Sequence, residues 1–272
     1  HVLVSKPVAG GGNICMQGED IKKGALVFCK GTRISPYAAG VLASIGYTKL
    51  NVYRKPKVAI IVTGDELVVS KPKEGQIIDS NTYTLSALVR DCRAEVISKK
   101  RVKDDYNEIR EELLSSDADI IIITGATSCG KKDYVPLVVN ECGKLHLHGV
   151  AMKPASPFGI GTIERKIVFL LPGNPVAACV AFDFFVRFAL EQMQSISASE
   201  KTSVQGILTE KIASSVGRTD IFRVKYNDGK IEPVRVGGSG ILSSMIRANA
   251  YLVVPQNIDG YQQGTKVDVR LF

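Results

Sequence analysis

The stretch Lys55-Pro-Lys-Val-Ala-Ile-Ile-Val-Thr-Gly-Asp-Glu-Leu67 decides how the chain is read. Val58 to Val62 are apolar without alternation, the pattern of a strand covered on both faces, and Gly64 ends the run. Downstream, short apolar strands alternate with longer segments of helical period, the sequence mark of βαβ units and a mostly parallel sheet. After Asp79-Ser80-Asn81, residues able to cap free N–H groups, Leu85, Leu88 and Val89 recur on one helix face. A strand is expected over 95–102, and Asp104 and Asp105 place negative charge at the start of the next helix, whose apolar face is Ile109, Leu113 and Leu114. A strand over 119–124 then leads through the glycine-punctuated loop Gly125 to Gly130 into a helix over 134–142, with Pro136 in its first turn. Strands are expected over 145–152, 158–163 and 166–171, the last two turned at Glu164-Arg165, followed by a helix from Val176 to about Met193.

Outward from this block the texture changes. Beyond Ser195 short β-branched runs flank Asn227-Asp228-Gly229, a hairpin signal, and read as a small β domain. The first fifty or so residues, with Gly10-Gly11-Gly12 and paired short strands, bury too little surface to stand alone. That piece, the start at His1 and the absence of a signal pattern lead us to expect a fragment whose partner lies upstream.

At 272 residues and 29.4 kDa, 45% hydrophobic and 23% charged, the chain is a folded globular protein of about two domains. The net charge of +8 and pI near 9.1 sit at the ends: Lys and Arg outnumber Asp and Glu 8 to 2 over residues 1–55, against 17 to 18 over residues 56–196. Such a balance suits an anionic partner. Nine Phe, nine Tyr and no Trp, with no Arg-rich run, favour a small anionic ligand over nucleic acid. Apolar runs such as Ile120–Ile123 and Ile167–Leu171 fall short of the ~18 residues of a membrane span, so no membrane partner is expected. Six cysteines without a C-x-x-C pair fit a reducing, cytoplasmic setting.

Several positions carry candidate chemistry. Gly125 to Lys132 approach the phosphate-loop pattern, but Lys132 stands where that motif needs a hydroxyl for magnesium. A glycine turn ahead of a helix still offers successive N–H groups to an oxyanion, the alternative being a merely tight turn. Asp65, Glu66, Asp79 and Asp133 lie at strand or helix ends, where the loops of a parallel sheet converge, and are candidates either for Mg²⁺ or for helix caps. His146 and His148 share a strand face and read as packed or hydrogen-bonded, since a third zinc ligand is not near in sequence. Asp183 and Arg187 at i, i+4 can pair. Phe182, Phe184, Phe185 and Phe188 offer either core packing or a dimer face.

Taken together, Thr63-Gly64-Asp65-Glu66-Leu67, Asp79-Ser80-Asn81, Thr124-Gly125 with Ser128, Gly130 and Asp133-Tyr134, Met152-Lys153-Pro154 and Leu171-Pro172-Gly173-Asn174-Pro175 resemble, in order and spacing, the molybdopterin molybdenumtransferase family. That family includes MoeA and the gephyrin E domain. Gly18-Glu19-Asp20 and Gly31-Thr32 upstream, and Gly240, Leu242, Ser244-Met245 and Ala248-Asn249 downstream, extend the resemblance over the whole chain.

The resemblance implies an α/β fold: a three-layer, mostly parallel molybdopterin-binding domain of the MoaB/MogA kind over 55–195, a partial N-terminal linker domain over 1–54 and a small β barrel over 196–272. It implies a homodimer that binds adenylylated molybdopterin, uses Mg²⁺, places molybdate on the dithiolene and releases AMP. By matching position, Asp79, Asp133 and Lys153 are the expected catalytic residues, and Asp65, Glu66 and Asp79 the expected metal ligands. Thr63, Gly64, Asp65, Glu66, Ser80, Asn81, Gly125, Ser128, Gly130, Ser156, Pro172, Gly173 and Asn174 would shape the ligand crevice, with Ser239, Ser243 and Ser244 closing over it. The chain departs from the family at Ala126, at Ala155-Ser156 where the family has Gly-Lys, and in lacking the upstream Asp-Gly-Tyr-Ala segment. The alternative is therefore a non-catalytic binding or scaffold paralogue of the same fold.

Overall fold

The computed structural model describes residues 1, 3, 5–7, 9–125, 127, 133–196, 203–234, 238 and 240–272. The molecule divides into two compact units, His1–Leu50 and Asn51–Phe272. In the first, the described residues form one helix, α1 (Pro36–Ser44), whose N-cap Ser35 accepts a hydrogen bond from the Ala38 amide at 3.1 Å. The paired short strands expected there do not form among the described residues. Leu3, Ile14, Met16 and Leu26 are scattered and largely exposed, so they form no buried apolar face among the described residues.

The second unit opens with β1 (Lys57–Thr63), the two-residue strands β2 (Leu67–Val68) and β3 (Ile77–Ile78), α2 (Asn81–Asp91) and β4 (Glu95–Val102). Then come α3 (Tyr106–Ser115), β5 (Ile120–Thr124), α4 (Tyr134–Cys142) and β6 (Lys144–His148). After β7 (Met152–Lys153) follow β8 (Gly159–Ile163), β9 (Lys166–Leu171), α5 (Pro175–Ala181) and α6 (Arg187–Met193). One sheet runs β4-β1-β5-β9-β8-β6, with the first four strands parallel and the last two antiparallel to their neighbours. The residues of β1 divide between its two faces. Val58, Ile60 and Val62 pack with Leu85 and Val89 of α2 and Val176 and Val180 of α5, while Ala59 and Ile61 pack with Ile109 and Leu113 of α3 and Val135 and Val138 of α4. Burial on both faces is why the strand carries no polar alternation. The result is the expected three-layer arrangement. Asp105 caps α3 by accepting from the Asn107 and Glu108 amides at 2.9 and 3.0 Å, as its position predicts.

Two expectations need correction. The single strand expected over 145–152 is two strands in different sheets. Gly149, at φ +89°, turns the chain after β6 and leaves β7 to pair elsewhere. The helix expected over 176–193 is likewise not uniform: a π-helical turn over Phe182–Val186 separates α5 from α6. It lies where Asp183 is drawn to two partners at once, Arg187 Nε at 2.9 Å and the Tyr251 hydroxyl at 3.0 Å.

The remaining strands are β10 (Ser203–Leu208), β11 (Ile212–Ala213), β12 (Thr219–Asn227), β13 (Lys230–Pro233), β14 (Ala250–Val254), β15 (Gly260–Tyr261) and β16 (Lys266–Leu271), with one helix, α7 (Ser243–Arg247). Five of them close a small barrel in the order β12-β13-β10-β16-β14 and back to β12. Asp228 and Gly229, both at positive φ, make the predicted two-residue hairpin between β12 and β13. The barrel is joined to the α/β part twice. Strand β7 adds to β12 in parallel, and Ile221 and Tyr251 of the barrel share one core with Phe158, Phe169 and Phe182. Phe185 stacks on Phe158 with ring centroids 4.0 Å apart and Phe184 faces Tyr251 at 5.7 Å. The phenylalanine-rich helix thus spends its extra apolar surface on intramolecular packing, and only Phe188 of the four remains largely exposed.

Candidate functional site

Because β4, β1, β5 and β9 run parallel, their carboxyl ends share one edge of the sheet, and β6, antiparallel to β8, ends there too. In open sheets of this kind the loops leaving that edge form the ligand crevice. Asp104 leaves β4, Thr63 to Glu66 leave β1, Gly125 leaves β5, Pro172 to Asn174 leave β9 and the 149–158 excursion leaves β6.

The centre of this rim is a close approach of backbones. A Cβ on Gly125 would stand 2.2 Å from the Thr63 carbonyl oxygen, and the residue has φ +93°, so only glycine fits on both counts. Gly173 lies directly across, its Cβ direction 3.6 Å from the Gly125 Cα. Asn81, buried at the start of α2, ties the two loops together. Its Nδ2 donates to the Gly173 carbonyl at 2.8 Å and to Thr124 Oγ1 at 3.2 Å, while Thr124 Oγ1 donates to the Pro172 carbonyl at 2.9 Å. Thr127 adds a bond from its hydroxyl to the Leu171 carbonyl at 3.0 Å. With the side-chain amide and hydroxyls consumed inside the framework, the surface left to a ligand is backbone.

Beside this frame the rim is acidic. The Asp104 carboxyl titrates above the ordinary carboxylate range, first because of partial burial and further because Asp65, Glu66 and Asp133 add negative charge around it. The Thr63 hydroxyl lies near enough to favour its charged form, yet Thr63 Oγ1 and Asp104 Oδ1 are buried atoms that make no well-formed hydrogen bond. Buried polar atoms without partners are rare in folded proteins. Sequence reasoning took Asp104 only as helix-terminal charge. Its neighbour Asp105 does the capping, and the doublet after a strand was the signal that one acid is spare for other work.

The expected metal ligands divide under this geometry. Asp65 and Glu66 are exposed beside Asp104. Asp79 is buried, and both its oxygens are taken within α2: Oδ1 accepts from the Thr82 amide at 3.0 Å and Oδ2 from the Thr82 hydroxyl at 2.5 Å. Asp79 thus caps the first turn of α2, and each oxygen keeps a further lone pair; Ser80, next in sequence, makes no side-chain capping bond. Among the described residues no three His, Cys, Asp or Glu groups enclose a cation by themselves. Mg²⁺ is commonly held by one or two carboxylates with the remaining positions filled by water and substrate phosphate. Asp104 Oδ1 and Thr63 Oγ1, without a well-formed hydrogen bond, beside Asp65, Glu66 and Asp133 fit a cation held in that way.

Lys153, an exposed residue of β7, and Ser156, whose carbonyl accepts the Val150 amide at 2.9 Å, lie in the 149–158 excursion that leaves this same edge. His148, at the end of β6, is hydrogen-bonded as its position predicts: its Nε2 lies 2.8 Å from the Thr127 carbonyl and fastens the loop after β5 to the edge strand. His146 contacts Thr162 Oγ1 at 2.9 Å. In the barrel, Ser244 is fully buried and donates to the Ile241 carbonyl at 2.6 Å, so its hydroxyl is spent on the first turn of α7, while Ser243 is exposed. Ser128, Gly130 and Ser239 lie outside the described residues. No helix among the described residues is long and apolar enough to cross a membrane.

Comparison with known proteins matches three stretches of the chain. Residues 59–192 match the probable molybdopterin binding domain, residues 205–272 the MoeA C-terminal region (domain IV) and residues 1–46 the MoeA N-terminal region (domains I and II). A Methanocaldococcus jannaschii protein bearing a molybdopterin-biosynthesis name is 39% identical over 284 residues, covering 99% of this chain and 68% of that protein. The molybdopterin molybdenumtransferase of Haemophilus influenzae is 34% identical over 270 residues, covering 96% and 67%. The crystal structure of the Pyrococcus horikoshii molybdopterin biosynthesis MoeA protein superposes with a TM-score of 0.82 at 36% identity, covering 98% and 66%. The chain thus spans about two thirds of the length of these relatives.

Proposed function

The chain belongs to the molybdopterin molybdenumtransferase (MoeA) family, and on that premise we propose that it serves molybdenum cofactor biosynthesis by binding adenylylated molybdopterin, inserting molybdate and releasing AMP. The observation that carries this reading is the rim itself. Gly125 and Gly173 meet at the centre of the rim, and Thr63 Oγ1 and Asp104 Oδ1, buried oxygens without a well-formed hydrogen bond, lie beside them.

The roles follow from chemistry. Phosphate, pyrophosphate and molybdate are oxyanions, which turn amides at the start of a helix and an ammonium group hold well. Gly64, Gly125, Pro172, Gly173 and Asn174 shape the cradle, and Lys153 offers the cation. Asp65, Glu66, Asp104 and Asp133 would hold Mg²⁺, which supplies charge neutralisation where the phosphoanhydride is cleaved. Asn81 holds the two glycine loops at a fixed spacing and thereby sets the width of the cleft. The working unit in this proposal is a cytoplasmic homodimer, checked by light scattering.

Incubation of the protein with adenylylated molybdopterin, Mg²⁺ and molybdate tests the reading: AMP should appear and depend on both ions. The scaffold reading is favoured by one feature, Ser156 where the family carries lysine, since loss of a charge-assisted contact costs about 1.5 to 3 kcal/mol. Binding of the pterin without AMP release would establish that alternative. Ser156→Lys should then raise ligand affinity, and an unchanged affinity would mean that the missing cation does not belong here.

A further inference from the structure

We propose that the barrel cluster Asp220, Arg218 and Ser214 is a positioning device for Lys153, acting through the backbone pairing of β12 with β7; the proposal rests on the reading of Lys153 as a ligand-binding cation. Strand β7 consists of Met152 and Lys153 alone, and its ladder partner is β12. The register sets Met152 beside Thr219 and Lys153 beside Asp220, and the Thr219 amide donates to the Ala151 carbonyl at 2.8 Å. The path of the backbone at Lys153 is therefore set by where β12 begins.

That beginning is held by an unusual group. Asp220 is 4% exposed in a strand whose inward positions are otherwise apolar, such as Val224 in the barrel core. Burial of a carboxylate is costly unless it is well paired. Here Oδ1 accepts from Arg218 Nε at 2.9 Å and Oδ2 from the Ser214 hydroxyl at 3.0 Å. The two bonds close the turn between β11 and β12 onto the first residues of β12. Asp220 also faces Val254 of β14 through the barrel ladder, so it stands between the closed barrel on one side and the Lys153 strand on the other. Packing fixes the far side of the excursion, where the Gly149 amide donates to the Phe158 carbonyl at 2.8 Å and the Phe158 ring stacks on Phe185. Lys153 is thus placed by two domains, and the barrel contributes the carboxylate that sets the register.

A double-mutant cycle on the whole chain decides the matter, with molybdate and AMP as probes in calorimetric titration. Lys153→Ala should weaken binding of at least one probe about tenfold, and Asp220→Asn, which keeps shape but loses the ion pair, should weaken the same probe by several-fold. Because Asp220 acts through Lys153, the double variant should bind no worse than Lys153→Ala alone. Multiplicative losses in the double variant would overturn the positioning role while leaving Lys153 in the site. Unchanged binding in Lys153→Ala would overturn the reading of Lys153 itself, and the positioning role with it. Should Asp220→Asn not fold, Arg218→Gln, at a partly exposed residue, takes its place in the same cycle with the same expected coupling.

Discussion

The two edges of the central sheet treat polar groups in opposite ways. At the amino edge the charges of Arg54, Asp119 and Lys166 have tight partners. Arg54 grips Asp119 with two bonds of 2.6 Å, the Lys57 amide adds a third, and the Lys166 ammonium donates to the carbonyls of Leu113, Leu114 and Ser116 at the end of α3. At the carboxyl edge four acids crowd together, Asp104 titrates high, and buried oxygens of Asp104 and Thr63 make no well-formed bond. The same strands end in both places, so the strand chemistry is not the cause. The polar groups named at the amino edge stabilise the fold, whereas at the carboxyl edge one oxygen each of Asp104 and Thr63 is buried without a well-formed bond, which is where strain and function tend to be found together.

Four substitutions test that contrast, in descending order of effect. Gly125→Ala forces a Cβ against the Thr63 carbonyl at a positive φ and should destabilise the chain by more than about 3 kcal/mol in denaturant unfolding. An alanine variant of wild-type stability would show that the close approach is not rigid. Asp104→Asn should abolish stabilisation by added Mg²⁺ while raising the melting temperature of cation-free protein at neutral pH. The sign follows from linkage: a carboxyl titrating high in the folded state contributes stability below its unfolded pKa and loses it as pH rises through the folded value. The variant should flatten that limb of the pH–stability curve; retained Mg²⁺ dependence would dissociate Asp104 from cation binding.

At the other edge, Lys166→Met removes three donors from the end of α3 and should cost about 2 kcal/mol in unfolding with no change in AMP or molybdate binding. A binding defect there would erase the distinction between the edges. Arg54→Ala should have the smallest effect, because the Arg54 side chain is 67% exposed and solvent screens the pair. Its signature lies in pH. Hydrogen bonding to Arg54 holds the Asp119 carboxyl below the ordinary carboxylate range, so the contribution is present above that range and fades as pH falls through the lowered value. The alanine variant should show a shallower acid limb in thermal melts.

Much of the architecture was legible in local pattern. An unbroken apolar run in β1, the Asp105 cap, the hairpin at Asp228-Gly229 and the rim glycines each follow from side-chain chemistry within a few residues. What escaped depended on distant partners. Asp79 was open to a capping or a cation-binding role in the sequence, and only its partner Thr82 shows the cap. Asp104 looked like a cap until its neighbour proved to do that work. Phe182, Phe184 and Phe185 of the π-helical turn offered either core packing or a dimer face until Phe158 and the barrel's Tyr251 were seen to pack against them, while Phe188 stays exposed.

The sequence by itself determined the βαβ order, the glycine positions and the set of acids that a parallel sheet would bring to one edge, because periodicity and turn chemistry act over short range. Tertiary structure alone decided that Met152 and Lys153 leave the α/β sheet to lie on β12, and which of the acids remain unsatisfied at the rim. Those outcomes depend on burial and hydrogen-bond competition between residues far apart in the chain, which no local pattern encodes.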